Sequence, residues 1–412
     1  MSGMRRIGFC ILALILAICT CACDELTARD EAYKGLDALK ACDFYGAQQH
    51  FAEAYPVLKD KPAVELGFAF SILFGALDAP DFSSLLMRLG MTSTLQEVCL
   101  NRNERPVYDT IAGEDDCLSN RSGEHDIEWP YLCTDSADCD GLSHIDPSLL
   151  WWDIVDVIQQ NRNTLLRTSS MFSNAANHMS APYTVDNMLG FRSLTIHQAD
   201  LLFFAAIIKT LVFLSDVATK YETRFSVVQT LDHTYCSQQA DIINRYVGIA
   251  GNSPNLSDSI SLVKSIFFDI ELAFVHARLL REAYDNDPQS QCARNLSIFK
   301  WTNVPYGVMD NIISFASAFR QSQVVVRDVF SPDIQIHLSA LLSNLPARTM
   351  QQTIVMCVRD ELDAVLGIYV QYLNQYITPP LFEPGLESFK LHHDTSYRLS
   401  SGWRRWSFAD LL

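Results

Sequence analysis

The sequence predicts an all-α protein, a helical array or bundle, on three observations. Apolar side chains recur at three- and four-residue spacing along most of the chain, beginning with Ala32, Leu36 and Leu39. Helix-start signals precede such runs, as at Asp146-Pro147, where a capping residue is followed by proline at the first helical position. No stretch alternates apolar and polar residues convincingly, as a half-buried strand would. With 412 residues, 49% of them hydrophobic, the chain holds enough apolar material for a large core. Its 48 acidic and 31 basic side chains give a net charge of −17. That balance argues against nucleic acid as a partner, because a phosphate backbone is held by a basic face.

The first element, residues 1–22, reads as an export signal. Arg5 and Arg6 precede an apolar run from Ile7 to Ile18, and no acid occurs before Asp24. The run is charged only at its start and is short for a bilayer span. Cys19, Cys21 and Cys23 then alternate with Thr20 and Ala22. A Cys directly after small residues at the end of an apolar segment resembles the lipobox of bacterial lipoproteins, although Thr20 stands where that family prefers Leu. The resemblance implies that Cys23 becomes the lipidated first residue of the mature chain, with Cys21 as the alternative. It also implies an exported protein anchored to a membrane by its acyl chains, facing the periplasm or the cell surface. An ordinary cleaved signal or an uncleaved anchor is the competing reading. Each buried methylene of an acyl chain adds about 0.8 kcal/mol to membrane binding. The acidic surface leaves that work to the lipid rather than to headgroup attraction.

Residues 23–100 read as helical hairpins. Ala32, Leu36 and Leu39 form one apolar stripe, Cys42-Asp43 breaks it, and Phe44, Ala47, Phe51 and Ala54 form a second. A third helix begins after Pro62 and runs from Val64 to Phe74. Gly35, Ala47, Phe51 and Ala54, with Ala69 thirty-four residues after Gly35, are similar to the small and aromatic packing positions of the tetratricopeptide repeat. The similarity covers residues 28–76, about one and a half repeats. It lapses where Asp81 and Arg88 occupy positions that need small residues, and Lys59 replaces the repeat's proline. An ordinary helical hairpin is the plainer reading of the same pattern.

Residues 101–146 form a Cys-rich, loop-rich segment with the acidic cluster Glu114-Asp115-Asp116. Eight Cys follow the signal, an even number that in an exported chain reads as disulfides. Cys133 and Cys139 flank a short acidic loop and are expected to close it; Cys99 with Cys117, and Cys236 with Cys292, are further pairs on this reading. Within the loop, Asp138 and Asp140 precede Gly141 in the manner of a calcium loop, with Asp135 and Asp146 as additional oxygens. An EF-hand needs a bidentate Glu at its twelfth position, where Pro147 stands, so an acidic disulfide-closed turn is the favoured reading and no cofactor is required.

Residues 147–378 read as an α-helical domain and 379–412 as a C-terminal tail. Helices are expected over Leu149–Leu166, Thr195–Lys220, Asn255–Tyr284, Pro305–Arg320, Pro332–Leu345 and Arg348–Tyr376. Leu201–Leu214 is apolar almost all round apart from Lys209, which predicts a buried central helix rather than a membrane span. His197 and Asp200 lie one turn apart, as do neighbours on a helix start. Asp269 and His276 share a helical face, with Glu271 and Arg278 as a second pair; ion pairs are the commoner use of such spacing. In the tail, His392-His393-Asp394 offers metal-ligating groups in a loop, and Trp403-Arg404-Arg405-Trp406 suits a membrane interface or the acidic body. The chain carries no Gly-rich phosphate loop, Gly-x-Ser-x-Gly elbow or Cys-centred nucleophile motif.

These observations support a non-enzymatic lipoprotein that holds an unknown protein partner near the membrane through a helical-array groove. Two alternatives remain. Lipoproteins with degenerate tetratricopeptide helices are similar to the accessory component of TRAP transporters, which implies a hydrophobic small molecule in a cavity around Leu201–Leu214. A helical, metal-dependent hydrolase would use Asp269, Glu271 and His276 converging in one cleft. Intact mass spectrometry of protein from native membranes tests the anchoring. The expected product starts at Cys23 with added acyl mass and takes no thiol label under denaturing conditions; an unlipidated chain with free thiols would remove the export argument.

Overall fold

A computed structural model describes residues 24–91, 94–104, 145–188, 191–219, 226–228, 257–286 and 298–320, together with strand segments 324–326, 334–336, 354–358, 361–365 and 377–378. The fold is all-α. Its helices are α1 over residues 24–40, α2 Phe44–Leu58, α3 Pro62–Asp78, α4 Pro80–Arg88, α5 Leu95–Glu104, α6 Trp151–Gln160, α7 Arg162–His178, α8 Gln198–Ala218, α9 Ser257–Asn286 and α10 Tyr306–Arg320. One apolar core runs from Ala28 on α1 to Ile312 on α10. The helices pack as a row, α2 on α3, α3 on α7, α7 on α8, α8 on α9 and α9 on α10.

The N-terminal hairpins begin with a tight turn. Asp43 N–H donates to the Ala38 carbonyl and Cys42 N–H to the Leu39 carbonyl, the bond pattern that closes a helix with a left-handed residue. That residue is Cys42, at φ 61°, where glycine is usual. Asp43 then caps α2 by accepting from Gly46 N–H at 2.8 Å. The return of α2 brings the Phe51 ring between α1 and α3. A Cβ on Gly35 would stand 2.9 Å from this ring and one on Gly67 only 2.2 Å, so both glycines are required by close approach. Ala47, Ala54 and Ala69 are fully buried around it. At the far end, Pro62 and Pro80 open α3 and α4, which meet at 61°.

Aromatic rings carry the packing from these hairpins into the rest of the row. Phe44 touches Phe74, which stacks on Phe70, and Phe70 meets Phe172 of α7 edge-on. Phe172 then reaches Phe204 of α8. Phe203, Phe299, Phe274 and Trp301 close around the other side of α8 in edge-to-face contacts, a geometry favoured by the ring quadrupoles.

Several expected elements differ. Leu149–Leu166 is divided at Asn161 into α6 and α7, because Asn161 leaves helical backbone and its side chain bonds back to the Val157 carbonyl. A β-hairpin, β1 Tyr183–Met188 with β2 Phe191–Ile196, precedes α8, so Thr195 belongs to a strand. Antiparallel strands also appear toward the C-terminus: β3 Val324–Val326 pairs with β4 Ile334–Ile336, which pairs with β7 Ile377–Thr378, and β5 Ile354–Val358 pairs with β6 Glu361–Val365; of these, β4, β5 and β6 fall in ranges expected as helices. The β-branched residues Ile354, Val355 and Val358 fit a pleated ladder better than a helix.

The disulfide expectation is corrected too. Cys99 on α5 is bonded to Cys42 at an S–S distance of 2.01 Å, not to Cys117. The turn after α1 projects Cys42 into the core beside α5, and both cysteines are buried. Cys117, Cys133, Cys139, Cys236 and Cys292 lie outside the described residues, as do Cys21, Cys23 and the C-terminal tail. The Cys42–Cys99 bond closes a separation of 57 residues. Replacing both by serine should lower unfolding free energy by about 4 kcal/mol through the released chain entropy. Urea midpoints of the two proteins check this; equal midpoints would show that the crosslink adds nothing to the helical packing.

Candidate functional site

The described surface is indented where the N-terminal hairpins meet the β-hairpin. Arg29, Ala32, Tyr33 and Leu36 fall at successive turns on one face of α1. That face looks toward the C-terminal end of α2 and the start of α3, and together they enclose a groove of about 370 Å³. Its floor is apolar: Ala32, Leu36, Phe51, Leu58 and Val64. Phe51 therefore serves twice, filling the gap between Gly35 and Gly67 and lining the groove. The remaining chemistry stands at the rim. Arg29 and Lys61 supply cations, and Tyr33 faces Tyr183 of β1, whose phenol is pushed up by burial and by the nearby Tyr33.

The two cations differ. Arg29 Nη2 donates to Glu25 at 2.7 Å on the exposed side of α1. Lys61 is exposed, and its ammonium makes no hydrogen bond or ion pair among the described residues. Its backbone opens α3 by accepting from Val64 and Glu65, while the side chain takes no part in the cap. None of the lining residues is acidic.

The titratable groups singled out in the sequence occupy other places, each with its own partner. Lys209 of α8 is buried and donates to Asp269 of α9 at 2.5 Å and to Ser265 at 2.9 Å. Asp269 also accepts from Ser173 of α7 at 3.3 Å. Burial raises the Asp269 carboxyl, opposed by the charge and hydrogen bond of Lys209. Glu271 pairs with Arg320 of α10 at 2.8 Å. His276 is half-buried, and burial lowers its pKa. Asp269 and Glu271 thus face different cations on different helices, so the cleft expected of a hydrolase is not assembled. Arg278 reaches Glu282 and also Asp310.

His197 and Asp200 form a helix-start arrangement within the core. Asp200 accepts from the His197 backbone N–H at 2.8 Å and from Trp301 Nε1 at 2.7 Å, while the His197 ring lies 3.2 Å from the Tyr284 hydroxyl. A contact unannounced by sequence spacing joins α3 to α7: Nδ1 of the exposed His178 lies 3.0 Å from buried Glu65, whose carboxyl is pushed up mainly by burial. Among the described residues, no group of three or more His, Cys, Asp or Glu side chains is arranged to hold a metal ion.

Of the calcium candidates, Asp135, Asp138 and Asp140 lie outside the described residues. Asp146 spends one carboxylate oxygen on the backbone and hydroxyl of Ser148 and the other on Arg88. These donors hold its carboxyl down to about 2, and a guanidinium occupies the place a cation would take. Within Leu201–Leu214, Phe203 and Phe204 pack against neighbouring rings while Ile207, Leu211 and Leu214 are exposed, and the groove lies on the N-terminal hairpins. On its α1 face, Ala32 and Leu36 belong to the apolar stripe read from the sequence, while Arg29 and Tyr33 were not singled out there. Tyr183, more than 120 residues away in sequence, had no local signal.

Burial holds His197 down to about 4 from its ordinary 6.5. Between these values the unfolded chain binds a proton that the folded chain refuses, so this group's contribution makes stability rise with pH and level off above 6.5. The span amounts to about 3 kcal/mol. Urea unfolding from pH 4 to pH 7 should show a shallower rise in His197→Gln than in the parent; parallel profiles would show that the ring is not buried neutral in solution.

The chain matches no protein-family model, no curated protein and no solved structure.

Proposed function

We propose that the chain is an exported, lipid-anchored and non-enzymatic binding protein, whose N-terminal helical groove holds a partner near the membrane. The observation that carries this reading is the groove itself: an apolar floor on α1, α2 and α3 with cations and phenols confined to its rim. Such a surface recognises by burial and a few oriented polar groups. The buried ionisable groups point the same way. Lys209, Asp269, Glu65 and His197 are all engaged within the helical packing, and none of them lines the groove.

Three features support export and anchoring: the lipobox-like run ending at Cys23, the charged start before a short apolar stretch, and the Cys42–Cys99 bond. Disulfides persist in oxidising compartments. The spacing of Gly35, Ala47, Phe51, Ala54 and Ala69 supports a tetratricopeptide-like origin for the groove, because these residues make the close contacts that set α1 against α2 and α3.

Site-specific photocrosslinking in the native membrane tests the reading. A crosslinker at Tyr33, on the groove, should give a defined adduct, and Ala63→Trp at the start of α3 should suppress it. The same crosslinker at Tyr45, exposed on α2 outside the groove, should not give that adduct. Identical products from both positions, or none from Tyr33, would refute the groove as the recognition surface.

A further inference from the structure

We infer that the groove takes an amphipathic monoanion, a small molecule with an aliphatic body and one carboxylate. This assignment rests on reading the groove as the recognition surface. Size is the first argument. A groove of about 370 Å³ is at the small end of the ligand-pocket range. A stable protein interface usually engages about 20–30 residues on each side; ten line this groove.

Charge is the second argument. The chain carries 48 acids against 31 bases, yet the charged residues lining the groove are Arg29 and Lys61, with no acid among them. Lys61 has its ammonium uncommitted among the described residues, whereas Arg29 shares one nitrogen with Glu25 and keeps its other donors. The apolar body would lie on Leu36, Phe51, Leu58 and Val64. The carboxylate would stand at the rim, where a charged donor strengthens a hydrogen bond to it. Tyr33 and Tyr183 also line the groove, and a phenol hydroxyl can donate to a carboxylate.

The test uses the full chain in nanodiscs of zwitterionic lipid, with carboxyl-labelled decanoate followed by carbon NMR and empty nanodiscs as the partition control. Decanoate should show saturable binding beyond that control, and decanol should compete at least about tenfold more weakly. Lys61→Glu should weaken decanoate by about tenfold or more, and Lys61→Arg should restore it. Lys61 is exposed and its side chain makes no cap bond, so the circular dichroism of both variants should match the parent.

Equal binding of decanoate and decanol, unchanged in Lys61→Glu, would overturn the anion assignment while leaving the groove as a recognition surface. Binding of an acidic leucine-rich peptide, with no saturable decanoate, would overturn the small-molecule assignment and favour a protein segment. If neither probe binds and the Tyr33 crosslink is also missing, the reading of the groove fails with the inference.

Discussion

The inward face of α8 can be buried only because Lys209 is neutralised where it enters the core, while Ile207, Leu211 and Leu214 on the same helix stay exposed. The neighbours of Lys209 on that helix are almost all apolar, and an ammonium left alone among them would be strongly unfavourable. Asp269 and Ser265 meet it from α9, and Ser173 of α7 holds the other oxygen of Asp269. This contact therefore joins three consecutive helices of the row. Such a pair adds little net stability compared with apolar packing of the same shape, but either partner alone would be costly. Its effect is to set register: sliding α9 along α8 by one turn would part the charges while leaving much of the apolar contact intact.

Around that fixed centre the aromatic rings propagate order in both directions. Phe172 and Phe204 tie α8 to the N-terminal hairpins, and Trp301 fills the space between α8 and α9 while donating its ring N–H to Asp200. Large rigid rings transmit position because their few rotamers leave little room for adjustment. At the N-terminal end the same principle is carried by Phe51, wedged between Gly35 and Gly67, and by the Cys42–Cys99 bond across the hairpin turn. The groove borders the part of the fold held by this wedge, so its floor is preformed rather than shaped by a partner.

Polar groups are distributed differently in the core and at the groove. Buried polar side chains are matched across helix interfaces, Glu65 by the exposed His178 ring and Lys209 by Asp269, which is how a helical row accommodates polar residues in its core. The groove has the opposite character. Its polar groups stand at the edge of an apolar floor, with Arg29 paired to Glu25, Tyr183 half-buried and Lys61 exposed. A preorganised apolar surface with a small cationic rim would lower the ordering cost of binding, as the proposed recognition requires.

How much of this was legible in the sequence depends on the range of each interaction. Helical spacing and proline and capping signals determined the all-α character, the starts of α3 and α10 and the apolar nature of α8, because these follow from neighbours within one or two turns. The strands at Tyr183–Ile196 and Ile354–Val365 were missed where short β-branched runs satisfy either period over a few residues. Pairings were beyond local reading altogether. Lys209 and Asp269 each stood out alone, but only the packing of α8 on α9 made them partners. Likewise Cys42 closes on Cys99 rather than leaving it to Cys117 because the α1–α2 turn meets α5. The sequence by itself determined which segments are helical and which of their faces are apolar; tertiary structure decided which charges, thiols and rings meet, because those contacts depend on distances that chain spacing does not set.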